Sequence, residues 1–207
     1  MTREEFEHVI RAAASVVDDE IVVVGSQAVL GQFPDAPASL LRSLEVDVFP
    51  KHAPDRAIEI DGSLGDGSRF HETYDYYAHG IGPETVTAPI GWEQRLIRVE
   101  VPAVARKDGK AVGWCLEVHD LLLAKLAAGR EHDLTFAEDA LKAGLADPER
   151  LVRGLDLMPL THRKVTRERL EGLVSFRTLS GQTNSHHNDE DGQVADGKPS
   201  MTRRRNR

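Results

Sequence analysis

"VVVGSQAVLGQ", residues 22–32, decides the architecture. The run from Glu20 to Val24 is β-branched and apolar, too short for a helix, and suited to a strand buried on both faces. It stops at Gly25-Ser26, where Ser26 is placed to cap a short helix over "QAVLGQF" that Pro34 and Pro37 bring to an end. Glycine lets backbone approach a ligand closely, and a helix N-terminus offers unpaired N–H groups to phosphate. An ordinary strand-to-helix turn with a serine cap fits the same two residues.

The next informative stretch is "SLEVDVFP", residues 43–50. It alternates, placing Leu44, Val46 and Val48 on one face and Glu45, Asp47 and Phe49 on the other, which predicts a strand. Alternate strand positions point the same way, so the two carboxylates project together, ~7 Å apart along the strand. Like charges held there repel unless a cation sits between them. Hard oxygen ligands of this kind suit Mg²⁺. A half-exposed strand whose outer face is acidic is the plain alternative.

Around these two segments the pattern is mixed. Residues 2–18 read as an amphipathic helix, with Thr2 and Glu5 forming a capping box and Phe6, Val9, Ile10, Ala13, Val16 and Val17 at helical spacing. Residues 54–61 predict a short helix ended by Asp61-Gly62, "HETYDYYAHGIG" a strand or extended loop, and "WEQRLIRVEVPAV" a further strand. Strands and helices interleaved in this way predict an α/β (α+β) fold with a mixed sheet. After Cys115 the periodicity turns helical. "EVHDLLLAKLAAG" closes at Gly129, "EHDLTFAEDALKAG" closes at Gly144, Asp147-Pro148 starts a third helix, and Thr166 to Val174 a last one. The expected division is therefore an α/β core over residues 1–115, a helical part over 116–178 closing the cleft, and a disordered polar tail over 179–207.

Composition limits the function classes. The 207 residues carry a formal net charge of -8, which argues against a surface devoted to nucleic acid and against DNA sequence recognition. A single cysteine, Cys115, cannot form an internal disulfide or a zinc motif. The acidic N-terminus lacks a signal-peptide core, and no stretch approaches the ~20 apolar residues of a membrane span. A cytoplasmic protein without a membrane partner is expected.

Lys125 is the one charge between Leu121 and Gly129. On so apolar a helix its ammonium either snorkels to water or points at a buried anion. Among other candidates, Glu100 in "IRVEVP" is an alternative third carboxylate or a solvent-facing strand residue. His71 is a ligand-facing or structural histidine, and Tyr76 and Tyr77 stack on a base or pack in the core. His186-His187 and the terminal arginines lie in the polar tail, too mobile for a metal site, though the arginines could steer an RNA weakly.

The order strand, Gly-Ser, helix, strand with acid-x-acid resembles the nucleotidyltransferase fold of the DNA polymerase beta type. Ser43, two residues before the first acid, matches the abortive-infection AbiEii branch, as does the wide spacing from Ser26 to Glu45. "GSQAVLGQFPDAP", "SLEVDVFP", "FHETYDYYAHGI", "GWEQRLIRV" and "VHDLLLAKLAAGREHDLTF" together resemble a domain-of-unknown-function family grouped with the nucleotidyltransferases, over roughly residues 5–155. The resemblance implies that Gly25, Ser26 and Ser43 hold the phosphates of a nucleoside triphosphate and that Glu45 and Asp47 hold two Mg²⁺ ions. It implies that Lys125 contacts the triphosphate with Arg130 in support. Asp133 would be the base for the acceptor hydroxyl or an outer ligand. Glutamate stands here where the commoner motif has aspartate first. The implied reaction moves a nucleoside monophosphate to tRNA, a protein or a small molecule, in branches that include toxins of toxin–antitoxin pairs and phage defence, with an antitoxin as partner. A catalytically degenerate nucleotide-binding or partner-binding module of the same fold is the alternative.

Overall fold

The first helix, α1 (Arg3–Val17), begins where the capping box predicts: Thr2 Oγ1 accepts from Glu5 N at 3.2 Å and Glu5 Oε2 accepts from Thr2 N at 2.6 Å. Phe6, Val9, Ile10, Ala13, Ala14 and Val17 form its buried stripe. In the computed structural model, which describes residues 1–183, that stripe lies against a five-stranded sheet. The strands are β1 (Ile21–Val24), β2 (Glu45–Pro50), β3 (Tyr77–Gly80), β4 (Ile97–Pro102) and β5 (Lys110–Cys115). Their order is β3-β2-β1-β5-β4, with β1–β2 and β4–β5 antiparallel and β1–β5 and β2–β3 parallel. The mixed sheet expected from the sequence is present. All four residues of β1 are buried, as a central strand covered on both faces requires.

Several local expectations are corrected. Ser26 does not cap a helix with its side chain. Gly25 takes the N-cap position of a 3-10 turn, Ser26–Ala28, and only four residues, Val29–Gln32, follow as α2. Leu44 precedes β2 and is half exposed, so the inward face of that strand is Val46 and Val48. A 3-10 turn at Pro54–Arg56 leads into α3 (Ala57–Leu64), which runs through Gly62 and stops at Gly65. "RFHETY" is a helix, α4 (Arg69–Tyr74), capped by Ser68 Oγ on His71 N, and only Tyr77–Gly80 of that stretch is strand. Trp92–Arg95 is a 3-10 turn before β4, and β5 was not anticipated. Its largely apolar sequence, "KAVGWC", is interrupted by Gly113, which admits Ile10 of α1: a Cβ there would lie 2.7 Å from Ile10 Cδ1.

After Cys115 the described residues are helical. Glu117 caps α5 (Val118–Ala128), whose C-terminus closes at Gly129 in the left-handed region with its N–H on Lys125 O. Nine of the eleven residues of α5 are buried, which explains a helix apolar nearly all round. Next come α6 (Glu131–Lys142) and α7 (Pro148–Gly154), the latter with Asp147 as cap and Pro148 in its first turn, and both pack on α5. The last helix, α8 (Leu160–Thr183), extends beyond the expected Thr166 to Val174 at both ends. Met1–Val174 is one compact unit containing the sheet and α1 to α7. Of the expected tail, residues 179–183 are helical, and the remainder, with His186-His187 and the terminal arginines, lies outside the described residues.

Candidate active site

Antiparallel pairing sets Val24, the last residue of β1, opposite Asp47 of β2. The chain then turns at Gly25, with φ +67° and ψ -167°. This backbone region is essentially confined to glycine. A Cβ on Gly25 would lie 2.0 Å from Asp47 Oδ2, so only a hydrogen fits between turn and carboxylate. The turn is fastened to the start of β2 by fully buried Gln27, whose Nε2 donates to Ser43 O at 2.9 Å. Ser43 Oγ in turn accepts from Glu45 N at 3.1 Å and fixes the backbone that carries the first acid. With α2 only four residues long, its dipole contributes little to the site.

Parallel pairing of β2 with β3 sets Tyr77 opposite Glu45 and His79 opposite Asp47. Tyr77 Oη donates to Glu45 Oε2 at 2.9 Å. His79 Nδ1 lies 3.0 Å from Glu45 Oε1 and 3.1 Å from Asp47 Oδ1. One ligand atom from each of Glu45, Asp47 and His79 falls within 4.8 Å of the other two. Burial and then the adjacent Glu45 carboxylate push the Asp47 carboxyl up to about 6 against the pull of His79. Burial also acts to raise Glu45, but its interactions with Asp47, Tyr77 and His79 outweigh it and hold the carboxyl below its ordinary range. For His79, burial acts to lower and the two acids raise; the acids prevail. Such a pair of crowded carboxylates with one imidazole is a donor set that a divalent cation fits.

A second charged network belongs to α5 and α6. Lys125 does not snorkel. It is only 7% exposed, and its Nζ sits 2.9 Å from Asp133 Oδ1 and over the Phe136 ring at 4.6 Å. Asp133 is fully buried, and its Oδ2 accepts from Arg130 Nε at 2.6 Å. Burial acts to raise the Asp133 carboxyl, yet Arg130 and Lys125 together hold it below its ordinary range. Arg130 itself is two-thirds exposed, and its guanidinium is held in the charged form by Asp133 and, more weakly, by Asp47 and Glu45. The acid pair, the Gly25-Ser26 turn and this network line one open cleft of about 630 Å³.

Residues 4–155 match the family described as "Nucleotidyltransferase of unknown function (DUF6036)". The chain belongs to this family. Comparison with curated proteins and with solved structures gave no match.

In this nucleotidyltransferase of unknown function, eight of the residues singled out from sequence converge on the cleft: Gly25, Ser26 and Ser43 from the turn and its anchor, Glu45 and Asp47 from β2, and Lys125, Arg130 and Asp133 from the helices. Glu100 is elsewhere, exposed on β4 and paired with Arg98 and Lys110. His71 accepts from Gly67 N and packs against the Tyr77 ring. Tyr76 packs in an aromatic cluster with His8, Phe70 and Tyr74 and bonds His8 Nδ1 at 2.7 Å. The sequence reading missed His79 as a site residue. Its signal was present, because Tyr77 and His79 are two apart on one strand face, the same spacing as Glu45 and Asp47. Reading the preceding helix as extended chain concealed where that strand begins. Among the described residues, no helix is long and apolar enough to cross a membrane.

Proposed function

We propose that this chain transfers a nucleoside monophosphate from a nucleoside triphosphate to an acceptor hydroxyl, using Mg²⁺ held by Glu45 and Asp47. The observation that carries the reading is the crowded acid pair against the Gly25 backbone, sharing its cleft with Lys125 and Arg130. When bound, the two expected ions would neutralise charge on the reacting phosphates and activate the attacking oxygen. The chain's own part is positioning. Gly25 brings backbone to the acids, and the Ser26 and Ser43 segments line the cleft beside it. Lys125 and Arg130 supply positive charge for a polyphosphate, and Asp133 orients both. Of the two roles expected for Asp133, holding these cations is the one its surroundings favour, since a buried carboxylate with a lowered pKa is a weak base. The acceptor class we propose is a hydroxyl of tRNA, a protein or a small molecule, in a toxin–antitoxin or phage-defence setting.

The test is transfer of label from each of the four α-labelled nucleoside triphosphates to a cell extract, with intact-mass analysis of the labelled species. The expected result is Mg²⁺-dependent labelling by wild type and none by Asp47→Asn. Binding of nucleotide without any transfer would instead establish the degenerate binding module.

A further inference from the structure

We propose that His79 is a third protein ligand to the metal at Glu45 and Asp47, and that this nitrogen makes the site select Mn²⁺ over Mg²⁺. The inference rests on the metal-dependent reading above and adds a ligand and an ion preference to it.

Three observations place the imidazole. His79 is a strand residue in register with Asp47, so its backbone position is set by the β2–β3 ladder rather than by a loop. Its Nδ1 is close to one oxygen of each acid, at 3.0 and 3.1 Å, and so faces the place between them that a shared cation takes. The other oxygen of Glu45 is engaged by Tyr77, and Asp47 Oδ2 is crowded against Gly25, which leaves Oε1 and Oδ1 turned toward His79. The outcome is two oxygens and one nitrogen with every pair within 4.8 Å. Mg²⁺ favours an all-oxygen shell, largely water and phosphate; Mn²⁺ shares that preference for oxygen but, as a first-row transition ion, takes an imidazole nitrogen more readily than Mg²⁺ does. An imidazole at this position therefore gives Mn²⁺ a ligand from which Mg²⁺ gains little.

Mn²⁺ is also its own reporter. Pulsed electron paramagnetic resonance of Mn²⁺ bound to wild type should show ¹⁴N modulation from a coordinated imidazole. His132 also lines the cleft, so its contribution has to be separated. In His79→Asn the modulation should vanish, with Mn²⁺ affinity falling roughly tenfold or more and Mg²⁺ affinity by less than about threefold. In His132→Asn the modulation should persist. Titrations with Mn²⁺ alone and Mg²⁺ alone give the affinities, and thermal unfolding establishes that each variant is folded. Wild-type protein that binds Mn²⁺ without ¹⁴N modulation overturns the inference even if His79→Asn does not fold, and leaves the metal-dependent reading standing. In that case His79 is a counter-cation to the acids that yields to the metal. Modulation that survives in folded His79→Asn overturns it equally. Wild-type protein that binds neither ion removes the metal-dependent reading and the inference together.

Discussion

Replacing Gly25 by alanine tests the geometry on which the site depends. Two costs are separable. Alanine at φ +67° and ψ -167° occupies a region almost reserved for glycine, at about 1–3 kcal/mol. Its methyl would also meet Asp47 Oδ2 at 2.0 Å and Cγ at 3.0 Å, so the carboxylate must rotate or the strand must shift, adding about 1–2 kcal/mol by comparison with overpacked cores. The expected destabilisation of Gly25→Ala is therefore about 2–5 kcal/mol, measured by denaturant unfolding, and divalent-ion binding should weaken because Asp47 can no longer keep its place. A double-mutant cycle with Asp47→Ala isolates the steric part. Truncating Asp47 removes the colliding atoms, so the cost of Gly25→Ala should drop by about 1 kcal/mol or more in that background, leaving the backbone share. If Gly25→Ala costs less than about 1 kcal/mol, or costs the same with and without the Asp47 carboxylate, the close approach of turn and acid is not a real constraint.

Asp47→Asn should abolish divalent-ion binding and leave the apo protein as stable as wild type or more so. The sign follows from the raised carboxyl. The folded protein holds the Asp47 proton up to about 6 against an ordinary 3.8, so folding is favoured at low pH and that advantage is lost as pH rises through this window. The shift alone corresponds to about 3 kcal/mol, and partial exposure of the side chain reduces the expected gain in Asp47→Asn to about 1–2 kcal/mol at pH 7.5, with almost none at pH 4. Unfolding at the two pH values checks it, and an equal effect at both would be wrong for this mechanism. Lys125→Met, which keeps the apolar stem, should nevertheless destabilise by about 1–3 kcal/mol because it takes one of two cations from a fully buried carboxylate. Adding Asp133→Leu should restore most of that loss, and a neutral Lys125→Met would show that Arg130 alone satisfies Asp133.

The sequence by itself determined the elements whose cause is local. The Thr2–Glu5 box, the β-branched run ending at Gly25, the acid-x-acid alternation of β2, the glycine stop at Gly129 and the Asp147-Pro148 start each depend on residues a few positions apart, and each is where its pattern places it. The convergence of Gly25, Glu45, Asp47 and Lys125 on one cleft was legible only through family resemblance, since nothing in their spacing brings α5 to β2. Tertiary structure decided what depends on partners distant in the chain. The strand β5 owes its place beside β1 to pairing across some ninety residues, and Gly113 belongs there because of Ile10 on another element. A lone lysine on an apolar helix fits water or an anion equally well, and only the folding of α6 against α5 supplies Asp133 eight residues on. His79 became a neighbour of the acids through the register of two parallel strands, which side-chain alternation constrains to a face but cannot align to a particular partner.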